Sequence, residues 1–449
     1  MRYDQYKQTE IPWIESLPAH WKQIRNGGLF EPHQDKVGEK YSTFDLLSLT
    51  TQGIRRKDIH DVKGKVPASY EGYQIVNPGD MVFCLFDLDC SAVFSGLSEF
   101  HGMITSAYDV VKPKASIANS RYLDYWFRSV FAGRYYKIFS KSVRYTINYD
   151  IFKGIKTPVP PRDEQDQIVR YLDWQTSRIN KLIHGYEREI KLLEERKNTV
   201  IDSAVTKGIR PNRDMQQLPT NWMGANIPID WKMIPSKRLF TEGKERKRPE
   251  DKPATASQKY GIIAQEDYMQ KEGKRIVIAT QGLDDWKHVD PDNFVISLRS
   301  FQGGIERSAI SGCVTWHYIV LIPQVGVIPQ YFKWLLKSKS YIKALQGTSE
   351  FIRDGQDLRY SNFVKVDLPL VPEDEQIEIA QYIDATVEKI DKAISVIQKE
   401  IDLLREYRTR LISDVVTGQI DVRGVAIPEY ELEVDNSEME TGQDVEVEE

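Results

Sequence analysis

The chain has 449 residues, enough for two or three domains, and a hydrophobic content of 41% allows packed cores. Three cysteines argue against a disulfide framework and indicate a reducing compartment. No stretch resembles a signal peptide or a membrane span, so we expect a cytoplasmic protein. Ten acidic and no basic residues stand between Glu429 and Glu449, although the net charge is only -5. This predicts a mildly basic body and a disordered acidic tail over 421–449.

The first block, residues 1–160, is predicted to mix strands and helices. A Pro-Gly turn within 74–86 precedes a strand, a second strand is predicted over 103–111, and residues 121–139 have mostly helical periodicity. Pro161, followed by Asp163 and Glu164, then marks the start of a long helix. Proline fits the first helical turn, and acidic side chains favour the positive end of the helix dipole.

The long helix predicted over 161–206 occurs twice. Residues 161–209 return without a gap as 372–420, and 19 of these 49 positions are identical. The shared apolar positions have the spacings of three, four and seven that mark one face of a helix flanked by charge. The residues chosen from this stripe for helix docking are Ile168, Leu172, Ile179 and Ile183, with their copies Ile379, Ile383, Ile390 and Ile394.

The repeat covers more than the helices. After a linker predicted over 207–220, a second block over 221–371 repeats the landmarks of the first, and a distal helix follows over 372–420. Gly312 to Val320, for example, aligns with Gly102 to Val110. The segments 31–73 and 241–292 share almost nothing, which favours one scaffold that presents two different recognition surfaces. The predicted fold class is α+β, with two globular α/β domains, two long helices packed as an antiparallel coiled coil, and a pseudo-twofold internal repeat.

No catalytic constellation is found in the sequence. A phosphate-binding loop and an HExxH arrangement are absent, and no nucleophile, base and orienting group come together. Gly303-Gly304 is interpreted as a hairpin turn and His317 as a packed or surface residue. The acid pair Asp163-Glu164 and its copy are interpreted as helix-start acids and partner contacts. We therefore expect a binding protein without catalytic activity, metal or cofactor of its own.

The order of these motifs resembles the specificity subunit of a type I restriction–modification enzyme. The residues that carry the resemblance are Ile11 to Trp21, Pro78 to Asp80, and the helix starts Pro161 to Gln165 and Pro372 to Gln376. The resemblance implies two target recognition domains that recognise the halves of a bipartite, asymmetric DNA site. It also implies that the helices set the gap and dock two adenine-N6 methyltransferase subunits, with Glu164, Gln165, Glu375 and Gln376 among the docking residues. S-adenosylmethionine, ATP and Mg would serve those methyltransferase subunits and the restriction subunits that join them.

Candidate DNA contacts are the cations and amides of the loops that do not align, since Lys and Arg suit phosphates while Arg, Lys, Asn and Gln suit base edges. The candidates are Arg55, Arg56, Lys57, Lys141 and Arg144 in the first block, and the run Lys244 to Arg248, Lys287, Arg299, Gln302, Arg307 and Arg353 in the second. Arg144 and Arg353 hold matched positions, which favours a shared phosphate or structural role.

Two other readings stay open. The chain could be a coiled-coil scaffold whose globular blocks bind proteins and have no DNA specificity. It could also be an enzyme whose active site has no recognisable motif. Retention of DNA by the complex with a methyltransferase partner separates the scaffold from the specificity subunit.

Overall fold

The computed structural model describes the chain apart from residues 1, 34, 52, 58–68, 218–221, 225, 274–284, 299, 349–357 and 433–449, and apart from the side chain at 301. The chain divides into two compact units. Unit 1 comprises Met1–Arg188 and Ile397–Glu449, and unit 2 comprises Glu189–Val396. The predicted domain boundaries keep each long helix whole, whereas this division gives each unit the beginning of one long helix and the end of the other.

Unit 1 alternates short strands with short helices before its long helix. Its strands are β1 (Tyr6–Gln8), β2 (Ser16–Pro18), β3 (Lys22–Arg25), β4 (Phe30–Pro32), β5 (Leu46–Thr50), β6 (Gly53–Lys57), β7 (Gln74–Val76), β8 (Met81–Phe83), β9 (Ser95–Leu97), β10 (Gly102–Ile104), β11 (Asp109–Pro113) and β12 (Lys156–Val159). Its helices are α1 (Asn26–Leu29), α2 (Ser120–Ala132) and α3 (Tyr149–Gly154), with 3-10 turns at Gly38–Thr43 and Tyr135–Phe139. The long helix α4 spans Arg162–Lys207.

Unit 2 follows a similar order. Its strands are β13 (Met215–Gln217), β14 (Asn226–Pro228), β15 (Lys232–Ile234), β16 (Phe240–Gly243), β17 (Ala254–Ser257), β18 (Gly261–Ala264), β19 (Lys287–Val289), β20 (Phe294–Ile296), β21 (Glu306–Arg307), β22 (Gly312–Val314), β23 (Ile319–Pro323) and β24 (Leu368–Leu370). Its helices are α5 (Gln265–Glu272), α6 (Ser300–Gly303), α7 (Pro329–Leu335), α8 (Lys339–Gln346) and α9 (Tyr360–Phe363), with a 3-10 turn at Ser236–Arg238. The second long helix, α10, spans Glu373–Val416.

The two units share one sheet topology. A four-stranded antiparallel sheet has the order β4-β11-β8-β9 in unit 1 and β16-β23-β20-β21 in unit 2. Both sheets cover a core of buried aromatic residues in which the first strand supplies one ring and the short helix before the last strand supplies another. These rings are Phe30 and Phe152 at 6.1 Å in unit 1, and Phe240 and Phe363 at 5.8 Å in unit 2. The duplication seen in the sequence is therefore a duplication of fold.

In each unit, two paired strands enclose the globular block that precedes a long helix. β3 pairs with β12 in unit 1, and β15 pairs with β24 in unit 2. A buried polar side chain at the start of each block donates a hydrogen bond to a matched carbonyl: Asn26 Nδ2 to Phe152 O at 3.1 Å, and Ser236 Oγ to Phe363 O at 3.0 Å. We call the β3–β12 and β15–β24 pairs the necks of the two units.

The structural repeat also includes segments whose sequences do not align. Ile75 N donates to Asp35 O and Val37 N to Tyr73 O in unit 1, and His288 N donates to Glu245 O and Lys247 N to Trp286 O in unit 2. In each unit a hairpin follows, β5–β6 in unit 1 and β17–β18 in unit 2. Backbone pairing needs no particular side chain, so this similarity leaves no trace in the sequence.

Two glycines show how close the hairpins approach. A Cβ at Gly102 would lie 2.5 Å from Asp45 O, and one at Gly312 would lie 2.7 Å from Lys252 O. Those same carbonyls accept hydrogen bonds from the next residues, Met103 N and Cys313 N. Glycine is needed at both positions because the neighbouring backbone occupies the space of a side chain.

Several predictions about local structure are corrected. The strand predicted over 103–111 is two strands, β10 and β11, with a turn between them. The Gly303-Gly304 pair is the end of the helical turn α6 rather than a hairpin, and Gly304 has φ +85° where its Cβ would meet Leu336 O. Part of the predicted linker forms β13, which pairs with β14. The predicted tail begins too early, since Val422 is fully buried.

Candidate nucleic-acid interface and docking helices

The start of α4 is held by one buried carboxylate. Glu164 accepts hydrogen bonds from Tyr3 Oη at 2.5 Å, Trp21 Nε1 at 2.9 Å and His20 Nε2 at 2.7 Å. Burial, reinforced by Glu164, raises the pKa of Tyr3 well above its usual value, so the phenol stays a donor. The neighbouring Gln165 accepts from Asn119 N and donates to Pro160 O.

The start of α10 is held in the same way with different donors. Glu375 is fully buried and accepts from Trp231 Nε1 at 3.0 Å and from the guanidinium of Arg213. Gln376 accepts from Ile328 N at 2.9 Å and donates to Gly326 O and Val371 O. The predicted docking residues Glu164, Gln165, Glu375 and Gln376 thus fix each helix to its own unit, a role that their sequence position alone did not reveal.

The apolar stripe of each helix is buried within the units. Ile168, Leu172, Ile179 and Ile183 are at most 4% exposed, and Ile379, Ile383 and Ile390 are at most 7% exposed, whereas Ile394 is partly exposed. In unit 1 the beginning of α4 lies against the end of α10, with Arg405 donating to Glu187 at 3.0 Å and Arg408 to Asn180 at 2.6 Å. In unit 2 Lys197 donates to Asp391 at 2.7 Å. The helices therefore pair antiparallel within each unit.

Both units leave repeat-related apolar side chains exposed on this helix pair. Leu403 in unit 1 is 58% exposed and its counterpart Leu192 in unit 2 is 59% exposed. Tyr171 in unit 1 corresponds to Tyr382 in unit 2, which is 44% exposed. Partial burial raises the pKa of Tyr171, with a smaller contribution from Tyr407. We call the pair Tyr171 and Leu403, and the pair Tyr382 and Leu192, the outer helix faces.

The candidate cations of unit 1 lie in two places. Arg55, Arg56 and Lys57 belong to the edge strand β6, where the exposed Arg56 pairs with Asp45 at 3.0 Å and covers the Phe100 ring. Lys141 and Arg144 lie in an exposed loop over 140–146, held by Ser140 Oγ to Thr146 O at 2.9 Å and Thr146 N to Ser142 Oγ at 2.9 Å. Between them Val143 is 98% exposed. This ordered loop presents two cations and an apolar tip to solvent.

The candidates of unit 2 are less uniform. Arg307 pairs with Asp292, its Nε lying 2.8 Å from Oδ1, and Lys287 Nζ donates to Tyr318 O at 2.7 Å. Burial lowers the pKa of Lys287. Gln302 is exposed on α6. Arg299 and Arg353 lie outside the described residues, and their predicted roles stay predictions.

Known proteins match this chain over most of its length. No established family profile matches the sequence. The chain is 22% identical over 447 residues to a Methanocaldococcus jannaschii protein named as the type I restriction enzyme MjaX specificity subunit, covering 94% of this chain and 97% of that protein. It is also 22% identical to the MjaVIII specificity subunit of the same organism, covering 94% of this chain and 98% of that protein.

A solved structure agrees on the fold. A chain from a study of complex assembly and conformational transition of the type I R-M system superposes with a TM-score of 0.63 at 14% identity, over 90% of this chain and 99% of that one. The chain is similar to type I restriction specificity subunits in sequence and in fold. The predicted fold class and the resemblance drawn from the repeated helix starts are both confirmed.

Several positions that the structure makes informative were missed in the sequence. The segments 35–37 and 245–247 carry the cations Lys36 and Arg246 at matched bridges to Gln74 and Lys287. Arg246 belongs to the candidate run Lys244 to Arg248, whereas Lys36 was not among the candidates. The turn after β22 exposes Trp316 to 52% of its surface. The alignment of Gly102 with Gly312 was the one signal that could have located these turns, and it was interpreted as a continuous strand.

Two searches for other functional features found nothing in the part of the chain that the structure describes. No group of three or more His, Cys, Asp or Glu side chains there is arranged to hold a metal ion. None of the helices described has the combination of length and apolar composition needed to cross a bilayer.

Proposed function

We propose that this chain is the non-catalytic DNA-specificity subunit of a type I restriction–modification enzyme, and that each unit recognises one half of a bipartite, asymmetric DNA site. The observation that carries the proposal is the duplicated frame with unlike exposed segments. The same sheet, the same neck and the same buried glutamate at the start of a long helix occur twice, while the exposed segments differ in sequence and charge. Two frames of one kind with unlike surfaces fit two different half-sites within one target.

The adenine-N6 methyltransferase activity of the complex belongs to partner subunits. The outer helix faces support docking of two copies of one modification subunit, because the repeat-related Leu192 and Leu403 have nearly equal exposure and occur once in each unit. Apolar and aromatic residues left exposed at related positions are typical of interaction sites. Restriction subunits join through this core, and S-adenosylmethionine, ATP and Mg serve those partners.

The long helices support a fixed gap between the half-sites. α4 has 46 residues and α10 has 44 residues, so each extends over roughly 65–70 Å at 1.5 Å per residue. One turn of duplex DNA spans about 34–36 Å. Helices of this length are sufficient to relate two recognition domains over successive turns of DNA.

The proposal is tested by co-expression with the modification subunit encoded beside this chain, followed by mapping of methylated adenine in the host DNA. We expect methylation confined to one split motif with a constant gap. A stable complex that leaves the DNA unmethylated would favour the coiled-coil scaffold and contradict DNA recognition by this chain.

The gap itself is tested in the same assay. One heptad is inserted between Arg188 and Glu189 and another between Val396 and Ile397, where the helices pass from one unit to the other. The contacts within each unit stay intact because both insertions lie at the boundary. Seven residues add about 10 Å of helix, so the gap should grow by about three base pairs while both half-sites stay the same. An unchanged gap would contradict the role of the helices in spacing.

A further inference from the structure

One turn has the same backbone in both units. It joins β10 to β11 in unit 1 and β22 to β23 in unit 2. Tyr108 N donates to Thr105 O at 3.4 Å, and Tyr318 N donates to Thr315 O at 3.0 Å. The two residues between these Thr and Tyr positions are exposed in both units. The frame therefore presents one dipeptide to solvent at a matched position.

The strand beside each turn supports it with a matched side chain. Gln74 Nε2 donates to Tyr108 O at 2.7 Å in unit 1, and Lys287 Nζ donates to Tyr318 O at 2.7 Å in unit 2. Gln74 lies opposite Ile104 and Lys287 lies opposite Val314, the last residue of β10 and β22 respectively. The turn is thus braced from the same side in both units.

A short segment that bridges to this strand adds a cation to the surroundings of each turn. Lys36 bridges to Gln74, and Arg246 bridges to Lys287. Directly opposed residues of antiparallel strands project from the same face of the sheet, a few ångströms apart. The Arg246 side chain is 75% exposed, and it forms a long ion pair of 3.5 Å with the exposed Asp285. A phosphate can compete for such a guanidinium, because a long, solvent-exposed ion pair is weak.

The exposed dipeptide is where the two units differ most. Unit 1 carries Ser106 and Ala107, both small. Unit 2 carries Trp316 and His317, whose rings stack with centroids 3.4 Å apart, and Trp316 is 52% exposed. Among the residues that the structure describes around this turn, unit 2 therefore combines an aromatic pair with Arg246 and Lys287, whereas unit 1 combines two small residues with Lys36.

We propose that this turn contacts the bases of each half-site, and that the pairs Ser106-Ala107 and Trp316-His317 determine in part which bases the two units select. The inference rests on the proposed function and deepens it. Serine bonds to several base edges and alanine packs on the thymine methyl group, whereas an aromatic pair offers ring faces and an imidazole to the groove. Lys36 and Arg246 bind the neighbouring phosphates and so fix the position of the turn on the DNA.

The test exchanges the two dipeptides on the otherwise complete chain. The variant with Trp316→Ser and His317→Ala gives unit 2 the turn of unit 1, and the variant with Ser106→Trp and Ala107→His does the reverse. Each is co-expressed with the modification subunit, and methylated adenine is mapped. We expect each exchange to alter one half of the motif, a different half for each variant, with the gap and the other half unchanged.

Binding of the purified complexes to DNA separates base contacts from backbone contacts. The Trp316→Ser and His317→Ala complex should lose at least tenfold in affinity for the wild-type target and less than twofold for DNA with a scrambled target. Trp316→Phe should keep most of the affinity for the target, because it retains an aromatic ring. Val325→Ser is the matched control, since Val325 is 99% exposed elsewhere in unit 2 and its loss should leave the motif unchanged.

The outcomes are distinct. A wild-type motif that neither exchange alters overturns this inference and leaves the proposed function standing. Equal losses of affinity for target and scrambled DNA also overturn it, because they would show that the turn contacts the DNA backbone and not the bases. A wild-type complex that methylates no motif overturns the proposed function and the inference together.

Discussion

The clamps at the starts of the two long helices share a carboxylate and differ in what holds it. In unit 1 Glu164 is bonded by Tyr3, His20 and Trp21, which reach it from the beginning of the chain. In unit 2 the tryptophan recurs as Trp231, but Arg213 supplies the remaining donors from the segment after α4. The duplicated frame thus preserves the position of the contact while its chemistry changes. Unit 2 holds its glutamate with a charged arginine, whereas unit 1 holds its glutamate with mostly neutral donors.

The largest expected effect comes from breaking the clamps. Glu375→Ala leaves the buried indole of Trp231 and the guanidinium of Arg213 without their common acceptor, although Asp230 still pairs with Arg213 at 2.5 Å. We expect a loss of roughly 3–5 kcal/mol in the stability of unit 2, as for other broken buried ion pairs. Glu164→Ala should cost unit 1 roughly 1–3 kcal/mol, because it mainly orphans neutral donors.

Hydrogen exchange of the amides in β14 and β15 reports on unit 2, and exchange in β2 and β3 reports on unit 1. Urea series on both variants give the two free energies of opening. Equal losses in the two units would show that the charge on Arg213 contributes nothing beyond its hydrogen bonds.

A second contrast concerns pH. Val295 of β20 lies opposite Glu306, whereas the matched Val82 of β8 lies opposite Gly96. Glu306 is 3% exposed, and its burial raises its pKa to about 7, even though Lys337 Nζ donates to it at 2.7 Å. The folded state holds this proton more tightly than the unfolded state, so the associated stability is fully present below about pH 4.5 and is lost as the pH rises through about 7.

The stability of unit 2 relative to the Glu306→Gln variant should therefore fall by roughly 2–3 kcal/mol between pH 4.5 and pH 8. Urea unfolding of both proteins across this range measures the difference, and amides of unit 1 serve as the internal control. A pH-independent difference would mean that Glu306 is ionised throughout the range.

A third contrast concerns partner binding, where we expect the units to behave alike. Leu192→Glu and Leu403→Glu each place a charge on one outer helix face, so each should remove one of two modification subunits and the double variant should remove both. Native mass spectrometry of the co-purified complexes counts the copies. Thr409→Glu adds the same charge at another exposed position of α10 and should leave two copies bound. If the double variant retained two modification subunits, the docking site would lie elsewhere on the chain.

The smallest expected effect concerns the loop over 140–146. Lys141→Ala and Arg144→Ala each remove one exposed cation, and each should lower the slope of log affinity against log salt by about 1 if it neutralises one phosphate. The loss should be the same on target and scrambled DNA. Salt titrations of DNA binding by the complex measure it, and an effect limited to target DNA would make the residue a base contact.

The sequence predicted those features that depend on side-chain patterns. The spacing from Ile168 to Ile183 predicted a buried stripe, because a helix places such residues on one face. It could not reveal that Tyr3 and Arg213 serve matched carboxylates, since the two residues differ in chemistry and lie far from their acceptors in the chain. The sequence also could not locate the matched segments 35–37 and 245–247, because their similarity lies in backbone hydrogen bonds. Trp316 was passed over because the turn that exposes it was interpreted as strand.

We propose above all that the two units are independent recognition domains built on one repeated frame. The most direct measurement is the methylation map of a chain in which residues 235–367, between the strands of the second neck, are replaced by residues 26–155 from between the strands of the first. We predict a split motif whose two halves carry the same sequence, with the gap of the wild-type motif. A stable complex that still methylates the original asymmetric motif would contradict the claim, because specificity would then reside outside the exchanged block.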